Sequence, residues 1–519
     1  MKLIRSMMIA SVSLLGSAVL AKPVTAVIRL TENVPMAELA RQVTDPQSSR
    51  YQRYFTPSEI RALSAPNDSQ YALVLQQLKA EGLKITGESK THLWVKVSAE
   101  KETFEKTFLT QLQETKQGRF QLMAAVQVPA YLGLIAGVTG LDNSHQRRAF
   151  HKFAPHDDSI TTAPTKGVTP AQIKSIYGFD AIYASGVNGV GQHIAIATYN
   201  DVNINDINTY YKNISLTPTP IVDRVLFNGT PAVDEQSAIE TSLDAEFSGM
   251  IAPGANIHVF TSAENSDAGE TAMFTAILDD NRAKVVNYSW GDCEKNINAA
   301  HFAEMKPIFE RAVAQGVNLM VASGDSGSAS CADDQSVQAD WPAANPNVVA
   351  VGGSALKITS ANVVETAWAG CSYGGGCSGG GISTMWTLPD YQKGIGAAFT
   401  MRSYPDVAFN ADNMTSGEPV WATNSGKAQW IVIGGTSMSA PQWSGFMTLV
   451  ASARQAQGKP TLGFLNPIVY SMTSTQKATS FNDITSGSNG AYKAAAGWDA
   501  VTGWGSPKAS ALFNYLVNL

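Results

Sequence analysis

Apolar strand-like runs alternate with helical patterns through the middle of the chain. The strand-like runs are residues 194–199, 256–260, 284–290 and 317–322, and the helical patterns are residues 234–251, 269–280 and 298–315. Near-continuous apolar strands separated by helices are typical of a parallel sheet that is covered on both faces. The sequence therefore predicts an α/β domain with a doubly wound parallel sheet, beginning near residue 167.

A glycine-rich stretch, GGTSMSAP at residues 434–441, joins a strand-like run at 430–433 to a helical pattern at 443–453. This arrangement places Ser437 at a helix N-terminus, where backbone N–H groups favour developing negative charge. Pro441 is expected in the first helical turn, where no N–H partner is needed. The whole unit favours Ser437 as a nucleophile, and the alternative is a serine that only caps the helix.

A nucleophilic serine needs a base. The region after residue 167 contains three histidines: His193, His258 and His301. None lies in a glycine-rich helix start of the kind that carries the base in subtilisin-like proteases, so the base is sought among carboxylates. Glu240 and Asp244 are four residues apart and share one helix face, where two carboxyl groups share a proton readily. Such a weak base predicts an enzyme that works in acid; the alternative is a solvated surface pair.

The sequence Gly324-Asp325-Ser326-Gly327 follows the strand at 317–322. It matches the nucleophile motif of chymotrypsin-like proteases superficially, but those enzymes are all-β and need a histidine, so Ser326 is rejected as nucleophile. Asp325 is expected at the carboxyl end of a parallel strand, where open α/β sheets build their sites. A protonated Asp325 can donate a hydrogen bond to an oxyanion. The alternative is an aspartate that stabilises a turn.

Length and composition limit the other classes of protein. The chain has 519 residues, 44% of them hydrophobic, and a formal net charge of −6. That predicts two or three domains, and the weak acidity without a long basic run argues against a nucleic-acid partner. Residues 1–21 have the pattern of a secretory signal peptide, and no other stretch is long enough to span a membrane. An exported protein is therefore expected.

Export permits disulfides. The four cysteines are Cys293, Cys331, Cys371 and Cys377, and they allow three pairings. No close CxxC spacing supports a zinc site, so two disulfides are favoured. The glycine-dense loop at 370–381 is expected to be held by its cysteines.

The N-terminal part, residues 22–142, reads as a small α+β unit with a helix-capping signal at 56–59. Composition alone leaves a binding module and a prodomain equally open. Residues 143–166 are predicted to form an exposed linker that is open to proteolysis. Its histidines, His145, His151 and His156, are interpreted as solvated residues rather than as a metal site.

Near the C-terminus, Asp483-Ile484 is followed by Ala495-Ala496-Gly497-Trp498-Asp499. Two carboxylates with backbone carbonyls from a glycine-containing loop are suitable oxygen ligands for Ca²⁺, although the spacing is not that of an EF-hand.

These motifs, in this order, resemble the sedolisin (serine-carboxyl peptidase) family. The resemblance implies a subtilisin-like fold in which Ser437 is the nucleophile, Glu240 its general base, Asp244 the partner of Glu240 and Asp325 the oxyanion donor. It also implies one structural Ca²⁺, held by the side chains of Asp483 and Asp499 and by the carbonyls of Ile484, Ala495 and Gly497. Residues 54–59 and 93–97 are similar to the family's activation prodomain, which implies a ferredoxin-like prodomain at 22–142 and a peptidase domain at 167–519.

The cysteines fit the resemblance as well. Cys293 and Cys331 are placed like a disulfide of some bacterial members, which leaves Cys371 to pair with Cys377. One departure stands out: some members carry a further glutamate at the end of the first strand, where this chain has Thr198.

The sequence therefore predicts a secreted, monomeric, acid-acting endopeptidase that is made as a self-processing precursor. Its expected partners are protein or peptide substrates and its own prodomain, which acts as inhibitor and chaperone. Three alternatives remain: a tripeptidyl-peptidase of the same family, a histidine-dependent protease active near neutral pH, and an inactive secreted binding protein on the same scaffold.

Overall fold

The structure is a computed structural model that describes residues 23–154, 167–231, 234–331, 334–396 and 399–519. The predicted signal peptide and the second half of the predicted linker, with His156, lie outside these residues. No helix in the described ranges is long and apolar enough to cross a membrane.

The N-terminal domain is built on a four-stranded antiparallel sheet in the order β2-β3-β1-β6. Its elements are β1 (Val24–Leu30), α1 (Met36–Thr44), α2 (Pro57–Ser64), α3 (Asp68–Ala80), β2 (Lys84–Glu88), β3 (Trp94–Ala99), α4 (Lys101–Thr107), β4 (Leu112–Glu114), β5 (Phe120–Leu122) and β6 (Ile135–Thr139). The capping signal predicted before α2 is present as a capping box between Thr56 and Glu59. The domain has its own apolar core, which includes Ile28, Leu78 and Phe104.

Two short strands follow: β7 (Arg148–Ala149) and β8 (Lys152–Phe153). Each pairs antiparallel with a strand of the C-terminal domain. The prediction of an exposed linker is therefore wrong for Arg147 and Phe150, which are 2% and 5% exposed, whereas His145 and Gln146 just before them are exposed. The physical reason is that this segment lies in a cleft and adds strands to the domain beside it.

The C-terminal domain contains the predicted parallel sheet, in the order β10-β11-β9-β12-β14-β16-β17, with β22 also paired to β16. All of these pairs are parallel except β16 with β17. The strands are β9 (His193–Thr198), β10 (Ile221–Phe227), β11 (Asn256–Ser262), β12 (Val285–Tyr288), β13 (Trp290–Cys293), β14 (Asn318–Ala322), β15 (Asp340–Trp341), β16 (Val349–Ile358), β17 (Val363–Ala367), β18 (Ala369–Gly370), β19 (Gly376–Cys377), β20 (Gly381–Thr387), β21 (Met401–Tyr404), β22 (Val407–Asn410), β23 (Glu418–Asn424), β24 (Lys427–Gly434), β25 (Phe481–Asn482) and β26 (Ser506–Pro507).

Helices cover this sheet, and the central strands β9, β11, β12 and β14 are buried along nearly their whole length, whereas the edge strand β10 is mostly exposed. The helices are α5 (Pro170–Tyr177), α6 (Asp180–Ala184), α7 (Ile204–Asn213), α8 (Glu235–Ile251), α9 (Asp267–Asp280), α10 (Ala299–Ala314), α11 (Thr436–Ala456), α12 (Asn466–Ser471), α13 (Ser474–Ser480) and α14 (Ala509–Asn518). The predicted alternation of strands and helices is confirmed. The prediction that Pro441 lies in the first helical turn is wrong. The helix α11 begins at Thr436, and the proline lies further inside it.

The N-terminal domain is docked on α9 and α10 of the C-terminal domain. The buried carboxyl of Glu304 accepts hydrogen bonds from the indole Nε1 of Trp94 and from Nε of Arg29. Lys96 adds an ion pair with Glu264, 3.1 Å apart. Charged contacts across an apolar interface fix the orientation in which two domains meet.

Both predicted disulfides are present. Cys293 is bonded to Cys331 and Cys371 to Cys377. The second bridge closes the glycine-dense loop between β18 and β19, as expected.

Candidate active site

Two neighbouring parallel strands, β12 and β14, end at one edge of the sheet and bring polar residues together there. Ser289 follows β12, and Asp325 comes three residues after β14. The helix α11 begins at the same edge, with Ser437 as its second residue. The sheet thus places Ser437 and Asp325 where the carboxyl ends of strands build sites in open α/β folds.

Gly435 is required at this junction for two reasons. Its φ is +116°, a conformation that L residues with side chains rarely adopt. A side-chain carbon there would lie 2.4 Å from the carbonyl oxygen of Phe150 and 2.7 Å from Oδ2 of Asp325. The glycine therefore leaves a narrow space in which these two oxygens lie close together.

Glu240 and Asp244 lie one turn apart on α8, which packs against α11. Both are buried, so the alternative of a solvated surface pair is excluded. Oδ1 of Asp244 accepts a hydrogen bond from the Ser289 hydroxyl at 2.7 Å. Oε2 of Glu240 lies 2.5 Å from Nδ1 of His151.

Burial raises the pKa of Glu240 well above its ordinary value, and the nearby Ser437 hydroxyl opposes part of that rise. The pKa of Asp244 is also raised, first by burial and then by the charge of Glu240. The Ser437 hydroxyl makes its own hydrogen bond to the Ser289 carbonyl, at 3.5 Å. Within the described part of the chain, Oε1 of Glu240 has no hydrogen-bond partner. The two carboxyl groups are therefore buried next to the serine, where they hold protons more tightly than exposed carboxyl groups do.

Asp325 is anchored by one of its two carboxyl oxygens. Oδ1 accepts hydrogen bonds from the backbone N–H of Thr436 at 2.8 Å and from its hydroxyl at 2.9 Å. Oδ2 is buried and is without a partner among the described residues. Burial raises the pKa of Asp325 to about 6, although the charge of Lys152 and the Thr436 bonds lower it. Below that pH the group keeps a proton that Oδ2 can donate.

The linker passes directly over Ser437. The backbone N–H of Ser437 donates to the carbonyl oxygen of Phe150 at 3.0 Å, and the N–H of Phe150 donates to the Ser289 carbonyl at 3.1 Å. On either side of Phe150, β7 pairs with β13 and β8 pairs with β24. The Phe150 carbonyl therefore accepts from the Ser437 N–H, and Oδ2 of Asp325 borders the same space beside Gly435, an arrangement that suits an oxyanion hole.

The interpretation of His151 as a solvated linker residue is wrong. Its imidazole is buried against Glu240, and burial lowers its pKa to about 4. His145, by contrast, has a side chain that is half exposed, as expected. No pattern in the sequence marks His151, because its position follows from the cleft that receives the linker.

Thr198, the position where the sequence departs from some members of the resembled family, offers a hydroxyl instead of a carboxylate. It ends β9, and its Oγ1 lies 2.8 Å from Oγ1 of Thr241, the residue after Glu240.

The five expected calcium ligands come from two segments that meet. Oδ2 of Asp483 accepts from the N–H of Gly497 at 2.9 Å, and Oδ2 of Asp499 accepts from the N–H of Ala495 at 3.1 Å. Ala495 does not have a positive φ, so an alanine is tolerated there. Two carboxylates facing one loop are a donor set of hard oxygens that fits Ca²⁺.

Comparison with known proteins agrees with this geometry. Residues 15–144 match the pro-kumamolisin activation domain, and residues 230–505 match the subtilase family. The chain is 35% identical to kumamolisin from Bacillus sp. (strain MN-32) over 414 residues, which are 74% of this chain and 70% of that one. The chain belongs to the sedolisin family. It is also 29% identical to sedolisin from Pseudomonas sp. (strain 101) over 518 residues, 94% of this chain and 86% of that one.

A solved structure shows the same relationship for this sedolisin-family chain. The Pseudomonas sedolisin (serine-carboxyl proteinase), complexed with two molecules of pseudo-iodotyrostatin, superposes with a TM-score of 0.59 at 29% identity. The match covers 68% of this chain and 98% of that one. The protein is a serine-type peptidase made as a zymogen with an activation prodomain, which excludes the inactive binding protein.

Proposed function

We propose that this sedolisin-family chain is an acid-acting endopeptidase that matures by cutting its own linker between Phe150 and His151. The observation that supports this cleavage site is the position of the Phe150 carbonyl, which accepts from the Ser437 N–H at 3.0 Å. The carbonyl is held on both sides by paired strands, so it cannot move away from the serine without breaking those pairs.

Each proposed step uses residues around that carbonyl. The Ser437 hydroxyl gives its proton to Glu240, and its Oγ forms a bond to the carbonyl carbon of Phe150. The negative oxygen that results accepts hydrogen bonds from the Ser437 N–H and from protonated Asp325. When the Phe150–His151 bond breaks, Glu240 returns the proton to the new amino group of His151. Water then attacks the acyl carbon and gives a proton to Glu240, which passes it to Oγ of Ser437 as the Phe150 carboxyl group leaves. Asp244 accepts from the Ser289 hydroxyl and interacts with the charge of Glu240.

Endopeptidase action is favoured over tripeptidyl-peptidase action by the course of the linker. The chain continues past the third residue before the proposed scissile bond, and the fourth residue, Arg147, is buried against α9. A tripeptidyl-peptidase needs a cleft that ends after three residues. Here a fourth residue is bound instead.

Three finer features belong to the same proposal. The mature peptidase is secreted, acts as a monomer on proteins or peptides, and takes one structural Ca²⁺ at Asp483, Ile484, Ala495, Gly497 and Asp499. Two disulfides support export, because such bonds persist in oxidising compartments. Bound Ca²⁺ would stabilise the loop at 495–499 and takes no part in the chemical step.

A time course of precursor conversion tests the cleavage site. Purified full-length precursor is brought to acid pH, and the first product is identified by N-terminal sequencing and intact mass. We expect a first product that begins at His151, and no conversion for Ser437→Ala. A first product that begins beyond residue 154 would contradict the proposed scissile bond.

A further inference from the structure

The fourth residue before the proposed scissile bond, Arg147, enters a pocket that the catalytic steps do not use. Its Nη2 lies 2.7 Å from Oδ1 of Asp267 and 2.7 Å from Oε2 of Glu270, and its Nε lies 3.1 Å from the same Glu270 oxygen. Its side chain is fully buried. Both carboxylates lie on α9 of the peptidase domain, whereas Arg147 belongs to the linker that maturation separates from it.

The pocket is built to keep Glu270 charged. Oε1 accepts from the Tyr288 hydroxyl at 2.7 Å, while Oε2 accepts from Nε1 of Trp341 at 3.2 Å and lies 2.6 Å from Nε2 of His301. Burial alone would raise the pKa of Glu270, but Arg147 and His301 together hold it well below its ordinary value. Asp267 is fixed in turn by the side-chain amide of Asn298 at 2.7 Å.

The backbone of Arg147 is held as well. Its N–H donates to Oδ1 of Asn265 at 2.8 Å, and its carbonyl accepts from Nδ2 of Asn265 at 2.9 Å. The side-chain amide of Asn265 thus pairs with an extended peptide much as a neighbouring strand would. The neighbouring Arg148 is held differently, because its Nη2 donates to the carbonyl of Ser330 at 2.7 Å.

We propose that Asp267 and Glu270 form a subsite of the mature peptidase that selects arginine four residues before the scissile bond. This inference rests on the proposed function and names its substrate class: proteins with arginine four residues before the cleaved bond. When the linker leaves after cleavage, Asp267 and Glu270 lose the guanidinium of Arg147. An arginine of a bound substrate then takes its place. Arginine suits the site better than lysine, because its planar fork reaches both carboxylates at once.

Quenched fluorescent peptides with the sequence of residues 147–153, RRAFHKF, test this with mature wild-type enzyme. Replacing the first arginine by alanine removes hydrogen bonds to two buried charges, so we expect kcat/KM to fall by at least about tenfold. Replacing the second arginine by alanine is the matched control, with an expected loss below about threefold, because that side chain donates to a single neutral carbonyl. Equal losses for the two peptides would overturn the proposal.

An enzyme variant assigns the preference to the pocket. In Asp267→Asn, the ratio of rates for the first-position arginine and alanine peptides is expected to shrink towards one, because the variant removes one of the two charges that bind the guanidinium. An unchanged ratio would overturn the assignment to Asp267; if the variant does not fold, the two wild-type peptide comparisons decide. The proposed function fails separately, because then no peptide is cleaved between phenylalanine and histidine at all.

Discussion

The imidazole Nδ1 of His151 lies 2.5 Å from Oε2 of Glu240, whereas the hydroxyl of Ser437 faces the carbonyl of Ser289 at 3.5 Å. The proposed general base thus contacts the linker that is to be cut, while the hydroxyl of Ser437 also lies beside it and lowers its pKa. For Glu240 to take the serine proton, it must give up its contact with His151. The linker therefore restrains its own cleavage through a side chain next to the scissile bond.

We expect His151→Ala to convert faster than the wild-type precursor, because Glu240 is then free to accept the Ser437 proton. A hydrogen bond to a charged or proton-sharing group is worth about 1.5–3 kcal/mol, so an increase of about tenfold is expected. The measurement is the first-order rate of conversion at fixed acid pH. His145→Ala, in the same segment but with a half-exposed side chain, is the control and should convert at the wild-type rate. A slower His151→Ala would mean that the imidazole assists the cut.

Ser437→Ala should fold into a precursor that neither converts nor cleaves a denatured protein. Loss of such a nucleophile costs several orders of magnitude in rate in other serine peptidases. The matched control is Ser326→Ala, since Ser326 follows Asp325 but is exposed. If Ser326→Ala is inactive and Ser437→Ala is active, the nucleophile has been assigned to the wrong serine.

The fold and the four residues proposed as catalytic were predictable because each leaves a local signal. The strands of the parallel sheet are buried on both faces and so read as continuous apolar runs, and the chemistry lies at the ends of those strands. Glu240 and Asp244 were recognised as a pair from their spacing, but not as buried residues. Their burial comes from α11, which packs on α8 from about two hundred positions further along the chain.

The linker could not be predicted in the same way. Residues 143–154 carry no periodicity, and a short extended segment has no intrinsic reason to be buried. Its strands exist only because β13 and β24 offer edges for them to pair with. The same holds for Asp267 and Glu270, which look like ordinary first-turn acids of a helix until Arg147 is seen between them.

The calcium proposal predicts that the mature enzyme is stabilised by the free ion, because a ligand that binds only the native state raises its stability with concentration. A free Ca²⁺ concentration of about 100 times the dissociation constant raises the free energy of unfolding by about 2.7 kcal/mol. For a domain of this kind, that is a rise of several degrees in Tm. Asp483→Ala should lose this dependence, and it is preferred to Asp499→Ala because Asp499 also accepts from Val501 and Thr502.

The control for that experiment is Asp390→Ala, which removes an exposed carboxylate elsewhere on the surface. It should keep the wild-type response to calcium and to a chelator, measured by thermal unfolding. A wild-type Tm that is the same with chelator and with calcium would contradict the site.

The last prediction concerns the pH at which conversion stops. Asp325 must carry a proton to donate to the oxyanion, and burial raises its pKa to about 6 in the zymogen. A raised pKa keeps the donor protonated below about pH 6, so Asp325 gives the profile an alkaline limb on which the rate of conversion falls as pH rises through about 6. Asp325→Asn keeps a donor that does not ionise and should lose this alkaline limb. Asp325→Ala removes the donor and should be slower at every pH, by about 10²–10³-fold as in other oxyanion holes. Conversion rates of the three precursors across pH 3–8 decide the matter, and identical profiles for the asparagine and alanine variants would show that Asp325 is not the donor.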